Sequence, residues 1–248
     1  MVSGAISDIG KNRESNQDAF YASKDSLLPL YVVADGMGGH KAGEVASSMA
    51  LDVIERNFLK AKDDLISDAI ITKLIKESIE EANTKIYLKS LEDKKYEGMG
   101  TTITLAYILE DRICIGHVGD SRAYLIKDKE IIQVTEDHSY VNELIRTGSI
   151  TREEAKTHPK RNMITRAVGS SSIIEMDLFF RKYNQGDILL LCSDGLSNML
   201  KEFEIYDTFN GAQDIQKACV ELATKANDKG GFDNITAVAI KLINEVKQ

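Results

Sequence analysis

Apolar segments that end at an aspartate beside glycine constrain the fold of this chain more than any other feature. The stretch LYVVADGMGG predicts a buried strand that stops at Asp35 and continues into a glycine cluster. Four further aspartates lie at predicted strand ends or in glycine-rich turns, namely Asp18, Asp120, Asp194 and Asp233. A rigid sheet can direct side chains at its strand ends toward one place. The pattern therefore predicts a single carboxylate-rich site.

The alternative for each aspartate is an ordinary turn. Aspartate hydrogen-bonds its own backbone and glycine tolerates positive φ, so a turn explains any one of them. Five together are harder to explain in this way, because converging carboxylates resist ionisation unless a cation lies among them. Ligand sets made only of oxygen favour hard cations such as Mg²⁺ or Mn²⁺ over zinc. We therefore expect a divalent cation site.

Hydrophobic periodicity predicts an α+β fold. Apolar stripes at helical spacing predict helices over 42–60, 65–91 and 211–227. Alternating segments joined by short turns predict an antiparallel meander over 101–109, 112–118 and 122–128. Runs such as ILLLC are apolar on both faces, which predicts a sheet that is covered on both sides.

A polar, partly helical insertion follows the meander. It spans about residues 139–172, and Thr151 with Glu154 matches a capping box for a short helix within it. An insertion of this length is typical of a flap beside a functional site.

Composition limits the possible partners. The 248 residues contain no linker or repeat, so we expect one domain over 1–248, and the net charge of −8 argues against a nucleic-acid binder. No apolar run approaches the roughly 20 residues of a membrane span, and the N-terminus lacks the features of a secretory signal. The three cysteines lie in apolar stretches, as expected for reduced residues. We expect a cytoplasmic monomer.

Eight segments carry a family resemblance, and they follow one another in the family's order over nearly the whole chain. They are GKNRESNQDAF, VVADGMGGHKAGEVAS, GMGTTITLAYI, GHVGDSRAYL, TEDHSYVNELIRTGSIT, MITRAVG, GDILLLCSDGLSNML and GGFDNITAVAI. The sequence resembles the metal-dependent serine/threonine protein phosphatases of the PPM family (type 2C), in the small bacterial form. The resemblance implies a four-layer αββα sandwich, in which helices flank two antiparallel sheets, with two Mg²⁺ or Mn²⁺ ions at one end.

The resemblance also implies roles for individual residues. Asp35 matches the carboxylate that bridges both metal ions, and Gly36 matches a backbone carbonyl ligand. Asp194 and Asp233 match the remaining ligands of one ion, and Asp120 with Asp194 matches a third, weaker metal position. Arg13 matches the arginine that binds the substrate phosphate, and Asp18 matches the acid that holds metal-bound water.

Two positions depart from the animal members of the family. Met37 replaces a histidine proposed as the acid for the leaving alkoxide. Either metal-bound water or His40 could protonate the leaving group instead, and we favour water. Gln17 replaces a glutamate, and a neutral amide binds metal more weakly, so we expect it to reach an ion through water.

Other interpretations of these motifs fit the sequence less well. The glycine cluster lacks the spacing of a nucleotide-binding P-loop. A cysteine-dependent phosphatase needs arginine six residues after the cysteine, but Asn198 follows Cys192 and Asp120 follows Cys114 at that distance. A non-catalytic phosphoprotein-binding module on the same fold remains the alternative. A phosphatase acting on anti-sigma antagonist proteins is a further possibility, although such relatives usually carry sensor domains.

The function expected from the resemblance is hydrolysis of phosphoserine and phosphothreonine in proteins by a metal-activated water. Family members of this size in bacteria commonly oppose a eukaryotic-like Ser/Thr kinase. That kinase and its substrates are therefore the expected partners.

Overall fold

The computed structural model describes residues 1–25, 27–39, 42–64 and 67–243, and two antiparallel sheets form its centre. The strands are β1 (Val2–Asp8), β2 (Asp18–Ala22), β3 (Leu30–Met37), β4 (Gly100–Thr101), β5 (Ile103–Ile108), β6 (Arg112–Val118), β7 (Arg122–Ile126), β8 (Ile131–Gln133), β9 (Asp177–Lys182), β10 (Ile188–Cys192) and β11 (Ile235–Lys241). One sheet has the order β1-β11-β10-β7-β8. The other has the order β2-β3-β5-β6-β9, and the short β4 pairs with the end of β3.

Helices lie outside the two sheets. They are α1 (Ala42–Lys60), α2 (Asp68–Glu92), α3 (Tyr140–Arg146), α4 (Arg152–Thr157), α5 (Asp194–Ser197), α6 (Glu202–Phe209) and α7 (Ile215–Asp228). No helix in the described ranges combines the length and the apolar character needed to cross a membrane.

Three apolar clusters separate four layers. The first joins α1 and α2 to the six-stranded sheet, the second joins α5, α6 and α7 to the five-stranded sheet, and the third lies between the sheets. Alternate residues of one strand enter different clusters: in β3, Val32 faces the helices and Val33 faces the other sheet. This arrangement explains why the central strands are apolar on both faces. The predicted αββα sandwich is confirmed.

Several predicted boundaries shift in the structure. The strand predicted over 101–109 divides at Thr102, because Asp35 N donates to the Thr102 side-chain hydroxyl instead of to the Thr102 carbonyl and so interrupts the strand ladder. The helix predicted from residue 211 begins at Ile215, because Asp214 caps it by accepting a hydrogen bond from Lys217 N. The helix predicted over 65–91 covers Asp68–Glu92, and residues 65–66 lie outside the described part. Sequence periodicity did not predict α5 and α6, which are short.

The segment 139–172 contains α3 and α4. The predicted capping box is confirmed: Thr151 Oγ1 accepts from Glu154 N, and a Glu154 carboxylate oxygen accepts from Thr151 N. The two ends of the segment meet at its stem, where Tyr140 N donates to Met163 O and Ser139 forms an isolated antiparallel β-bridge with Ile164. Its action as a flap stays a prediction.

Candidate metal centre

Asp35 lies near the end of β3, where its backbone is held on both sides. Its amide donates to Thr102 Oγ1 at 2.9 Å. Its carbonyl accepts from Thr101 Oγ1 at 2.9 Å and from Thr102 N at 2.9 Å. Because both threonines are buried, these bonds fix the direction in which the Asp35 side chain leaves the sheet.

Asp18 lies opposite Asp35 on the neighbouring strand β2. Its Oδ2 accepts a hydrogen bond from Ser193 Oγ at 2.7 Å, and Ser193 Oγ also accepts from Thr236 N at 3.0 Å. Ser193 thus connects the carboxylate on one sheet to strand β11 of the other. The second oxygen, Asp18 Oδ1, is buried and has no hydrogen-bond partner among the described residues.

Asp194 and Asp233 flank the facing ends of β10 and β11. Asp194 Oδ2 accepts from Asn198 Nδ2 at 3.0 Å, whereas Asp194 Oδ1 is buried and has no hydrogen-bond partner in the part of the chain that the structure describes. Asp233 Oδ1 accepts from Asn234 N at 2.8 Å. A Cβ at Gly195 would lie 2.0 Å from Asn234 O, so only glycine permits this close approach.

Asp120 lies in the turn between β6 and β7. The preceding Gly119 has φ of +111°, and a Cβ there would lie 2.5 Å from Thr102 Cγ2. The following Ser121 bonds Thr102 Oγ1 through its hydroxyl at 2.8 Å. Thr102 therefore contacts both the Asp120 turn and the backbone of Asp35.

Arg13 lies at the mouth of the site. Its Nη2 donates to Asp233 Oδ2 at 2.7 Å, and its side chain is 50% exposed. Asn234 secures the segment that carries it: Asn234 Nδ2 donates to Ile9 O and Ser15 O, and its Oδ1 accepts from Gln17 N. Arg13 is thus held beside the carboxylates while remaining accessible from solvent.

Gly36 lies where the start of α1 comes closest to β3. A Cβ on Gly36 would lie 2.1 Å from Gly43 O, and a Cβ on Gly43 would lie 2.7 Å from both Gly36 O and Gln17 Oε1. The sequence predicted an open backbone here, and the structure shows that glycine is also required for helix and strand to meet. Met37 follows with its side chain near Gly100. His40 lies outside the described residues.

The carboxyl groups perturb one another strongly. Burial, reinforced by the four other aspartates, raises the pKa of Asp35 well above its usual value. Burial raises the pKa of Asp18 to about 7, with Asp194 and Asp233 adding to the increase and Ser193 opposing it. Burial and Asp233 raise the pKa of Asp194 to about 6. Burial and Asp194 raise the pKa of Asp120 to about 8. The structure thus brings the five predicted aspartates into one electrostatic cluster.

These residues fit hard divalent cations. The donor set is made of carboxylate and carbonyl oxygens, and two buried carboxylate oxygens lack hydrogen-bond partners within the described ranges. An adjacent positive charge would lower the raised pKa values toward those of ordinary carboxylic acids. Within the described ranges, no three His, Cys, Asp or Glu side chains form a complete ligand set for one ion. Mg²⁺ is typically held by one or two carboxylates and keeps several waters, so the arrangement suits that class of ion.

Sequence reasoning missed the residues that support the carboxylates. Thr101 and Thr102, Ser193 and Asn234 hold Asp35, Asp18 and the Arg13 segment respectively. Two of them adjoin an aspartate in the motifs CSDG and FDN, which is a signal that could have identified them. The paired threonines follow Gly100 and lie far from any aspartate in sequence.

Comparison with known proteins identifies the family. A family model described as Protein phosphatase 2C matches residues 10–224. The chain belongs to this family. It is 41% identical over 236 residues to the serine/threonine phosphatase stp of Listeria welshimeri, covering 94% of this chain and 93% of that protein.

Solved structures of this phosphatase family have the same architecture. Serine/threonine phosphatase Stp1 from Staphylococcus aureus has a TM-score of 0.90 and 38% identity, covering 97% of this chain and 94% of that one. The catalytic domain of the phosphatase PstP, solved in complex with two manganese ions, has a TM-score of 0.85 and 34% identity, covering 98% of each chain.

Proposed function

We propose that this chain hydrolyses phosphoserine and phosphothreonine in proteins with a binuclear Mg²⁺ or Mn²⁺ centre. The carboxylate cluster carries the proposal, because Asp18 Oδ1 and Asp194 Oδ1 are buried beside an accessible arginine and find no hydrogen-bond partner among the residues that the structure describes. Burying such oxygens is costly unless a cation or a proton compensates them. Membership of the protein phosphatase 2C family and the manganese-bound PstP relative support the same conclusion.

Each residue has a proposed part in the reaction. Asp35 would bridge the two ions, the Gly36 carbonyl would ligate one of them, and Asp194 with Asp233 would complete the protein ligands of one ion. Asp120 and Asp194 would together form a third, weaker metal position. When bound, the ions would supply Lewis-acid activation of a water nucleophile and of the phosphate.

The side chains around this centre orient the water and the substrate. Asp18, oriented by Ser193 Oγ, would accept a hydrogen bond from the attacking water. Arg13 would bind the phosphate oxygens, since a planar guanidinium suits them better than an ammonium group. As the P–O bond to the Ser or Thr side chain breaks, the leaving oxygen takes a proton. Met37 has none to donate, so we propose that water in the site supplies it.

The partner that fits this activity is a Ser/Thr kinase of the eukaryotic-like type found in bacteria. Its phosphorylated substrates would be the substrates of this chain. Co-expression of the phosphatase with each such kinase, followed by phosphoproteomics, tests the pairing. The phosphosites that one kinase adds should be lost in the presence of the phosphatase and retained with an inactive variant.

The activity itself is tested by titrating Mn²⁺ and Mg²⁺ into assays of phosphoserine, phosphothreonine and phosphotyrosine peptides. We expect metal-dependent turnover of the first two. Asp35→Asn and Asp194→Ala should abolish it, whereas Asp207→Asn, at an exposed aspartate of α6, should retain it. Full activity in either site variant would refute the two-metal mechanism. Phosphopeptide binding without turnover by the wild-type protein would instead indicate a binding module.

Arg13 is tested separately. Arg13→Ala should mainly raise KM, because a grip on the phosphate acts on the ground state and the transition state alike. An unchanged KM would remove Arg13 from this role.

A further inference from the structure

A buried histidine joins the Asp120 turn to the stem of segment 139–172. His138 Nδ1 accepts a hydrogen bond from Gly119 N at 3.1 Å, and His138 N donates to Gly119 O at 2.7 Å. The carbonyl of the same residue accepts from Thr165 N at 2.8 Å, at the far end of the segment. His138 therefore contacts both structures through its own backbone and ring.

The tautomer of His138 follows from these contacts. A backbone amide can only donate, so Nδ1 carries no proton and Nε2 carries one. Nε2 then donates to Asp177 Oδ2 at 3.1 Å on strand β9, and Arg166 Nη1, which lies 3.3 Å from Nε2, cannot donate to this protonated nitrogen. Arg166 Nη1 donates to Asp177 Oδ1 at 3.1 Å, which holds the carboxylate in place. Burial lowers the pKa of His138, with the nearby Arg166 adding to the decrease and the Asp177 carboxylate opposing it.

The Asp120 turn is held from two sides. Thr102 and Thr104 hold it from the Asp35 side, through Ser121 Oγ at 2.8 Å and Ser121 O at 3.2 Å. On the opposite side, Gly119 N–H lies in a buried region and needs an acceptor. His138 Nδ1 is the acceptor that the structure provides.

We propose that His138 is a positioning residue: by accepting the Gly119 N–H through Nδ1, it holds the turn that directs Asp120 at the metal centre. This inference rests on the proposed role of Asp120 as a ligand. Groups that orient metal ligands from behind are typically worth 10- to 100-fold in metal affinity or activity. In this role His138 acts through the Gly119 backbone and is not itself a metal ligand.

Two substitutions separate the nitrogens of the ring. Asn places its amide near the position of Nδ1, whereas Gln places its amide near the position of Nε2. His138→Asn therefore retains an acceptor for Gly119 N–H and loses the Asp177 contact, and His138→Gln does the reverse. Tyr183→Phe is the control for a general loss of stability, because it removes buried hydrogen bonds to Leu109 O and Glu110 O, outside the carboxylate cluster.

Metal binding is measured by calorimetric titration of Mn²⁺ into the metal-free proteins, alongside the Mn²⁺ concentration that gives half-maximal phosphatase activity. We expect His138→Gln to weaken Mn²⁺ binding at the weaker position, formed by Asp120 with Asp194, about 10- to 100-fold. His138→Asn and Tyr183→Phe should bind as the wild type does. Equal effects in the Gln and Asn variants, a larger effect in Asn, or no effect in Gln would each overturn the proposal. Absence of Mn²⁺ binding by the wild type would instead refute the proposed metal centre.

The wild-type protein supplies a test that does not require any variant to fold. Nitrogen-15 NMR should show His138 as the Nε2–H tautomer. It should also show a scalar coupling across the hydrogen bond between Gly119 N and His138 Nδ1. A protonated Nδ1, or absence of that coupling in a well-resolved spectrum, would overturn the proposal.

Discussion

Replacing Thr102 by valine tests how the protein fixes Asp35. Thr102 Oγ1 accepts the hydrogen bond of Asp35 N–H at 2.9 Å and bonds Ser121 Oγ at 2.8 Å, in a buried environment. Valine has nearly the same shape but no acceptor. An orphaned buried donor costs about 1–3 kcal/mol, and a lost hydrogen bond costs about 0.5–1.5 kcal/mol. We therefore expect Thr102→Val to lower the free energy of unfolding by about 2–4 kcal/mol.

Thr102→Ser is the matched variant. It retains the hydroxyl and loses one buried methyl group, which costs about 1 kcal/mol. Urea unfolding in EDTA, followed by circular dichroism because the chain has no tryptophan, measures both variants without the contribution of bound metal. The Val variant should also bind Mn²⁺ about 10-fold more weakly or worse. Equal stability of the Val and Ser variants, with unchanged Mn²⁺ binding, would refute the reasoning.

Two further substitutions and the pH dependence of stability test other contacts. Gly36→Ala should abolish Mn²⁺-dependent activity and lower the melting temperature, because its Cβ would lie 2.1 Å from a backbone oxygen. Gly39→Ala should behave as the wild type in both assays, because no atom of the described residues lies within 4 Å of a Cβ at that position. In EDTA, the free energy of unfolding should fall as pH rises from 5 to 8.5. The pKa is raised to about 6 for Asp194 and to about 8 for Asp120, so these carboxyls stabilise the fold while protonated and lose that contribution as they ionise. Saturating Mn²⁺ should remove the fall, and a flat profile in EDTA would contradict the clustering. Asn83→Leu should lower the free energy of unfolding by about 2–4 kcal/mol, because it leaves the buried amide of Gly169 and the carbonyl of Ser171 without their side-chain partner. A free energy from urea unfolding equal to that of the wild type would show that these bonds contribute little.

The layer architecture could be predicted because it depends on local periodicity. Segments apolar on both faces, such as the one that ends at Asp35, had to be covered on both sides, and the structure shows helices on one side and the second sheet on the other. The capping box at Thr151 was equally local, and it is confirmed. The short helices α5 and α6 could not be predicted in this way, because four to eight residues do not establish a helical period.

The five aspartates could be identified from the sequence, since each lies at a strand end or in a turn beside a strand. Which of them face each other was decided by strand pairing. Asp18 lies opposite Asp35 because β2 pairs with β3 in that register, and Asp233 meets Arg13 across 220 residues of chain. The family resemblance supplied the same set of residues, and the roles of its members stay proposals.

The chemistry of the site was therefore determined by the sequence, because carboxylates beside glycines are a local property of strand ends and turns. The direction of each carboxylate was decided by the tertiary structure. Thr102 reaches Asp35 across 67 residues, Ser193 reaches Asp18 across 175, and His138 reaches Gly119 across 19. Hydrogen bonds between distant segments leave no periodic trace in the sequence, because they form only when the two sheets pack and the buried polar groups must find partners.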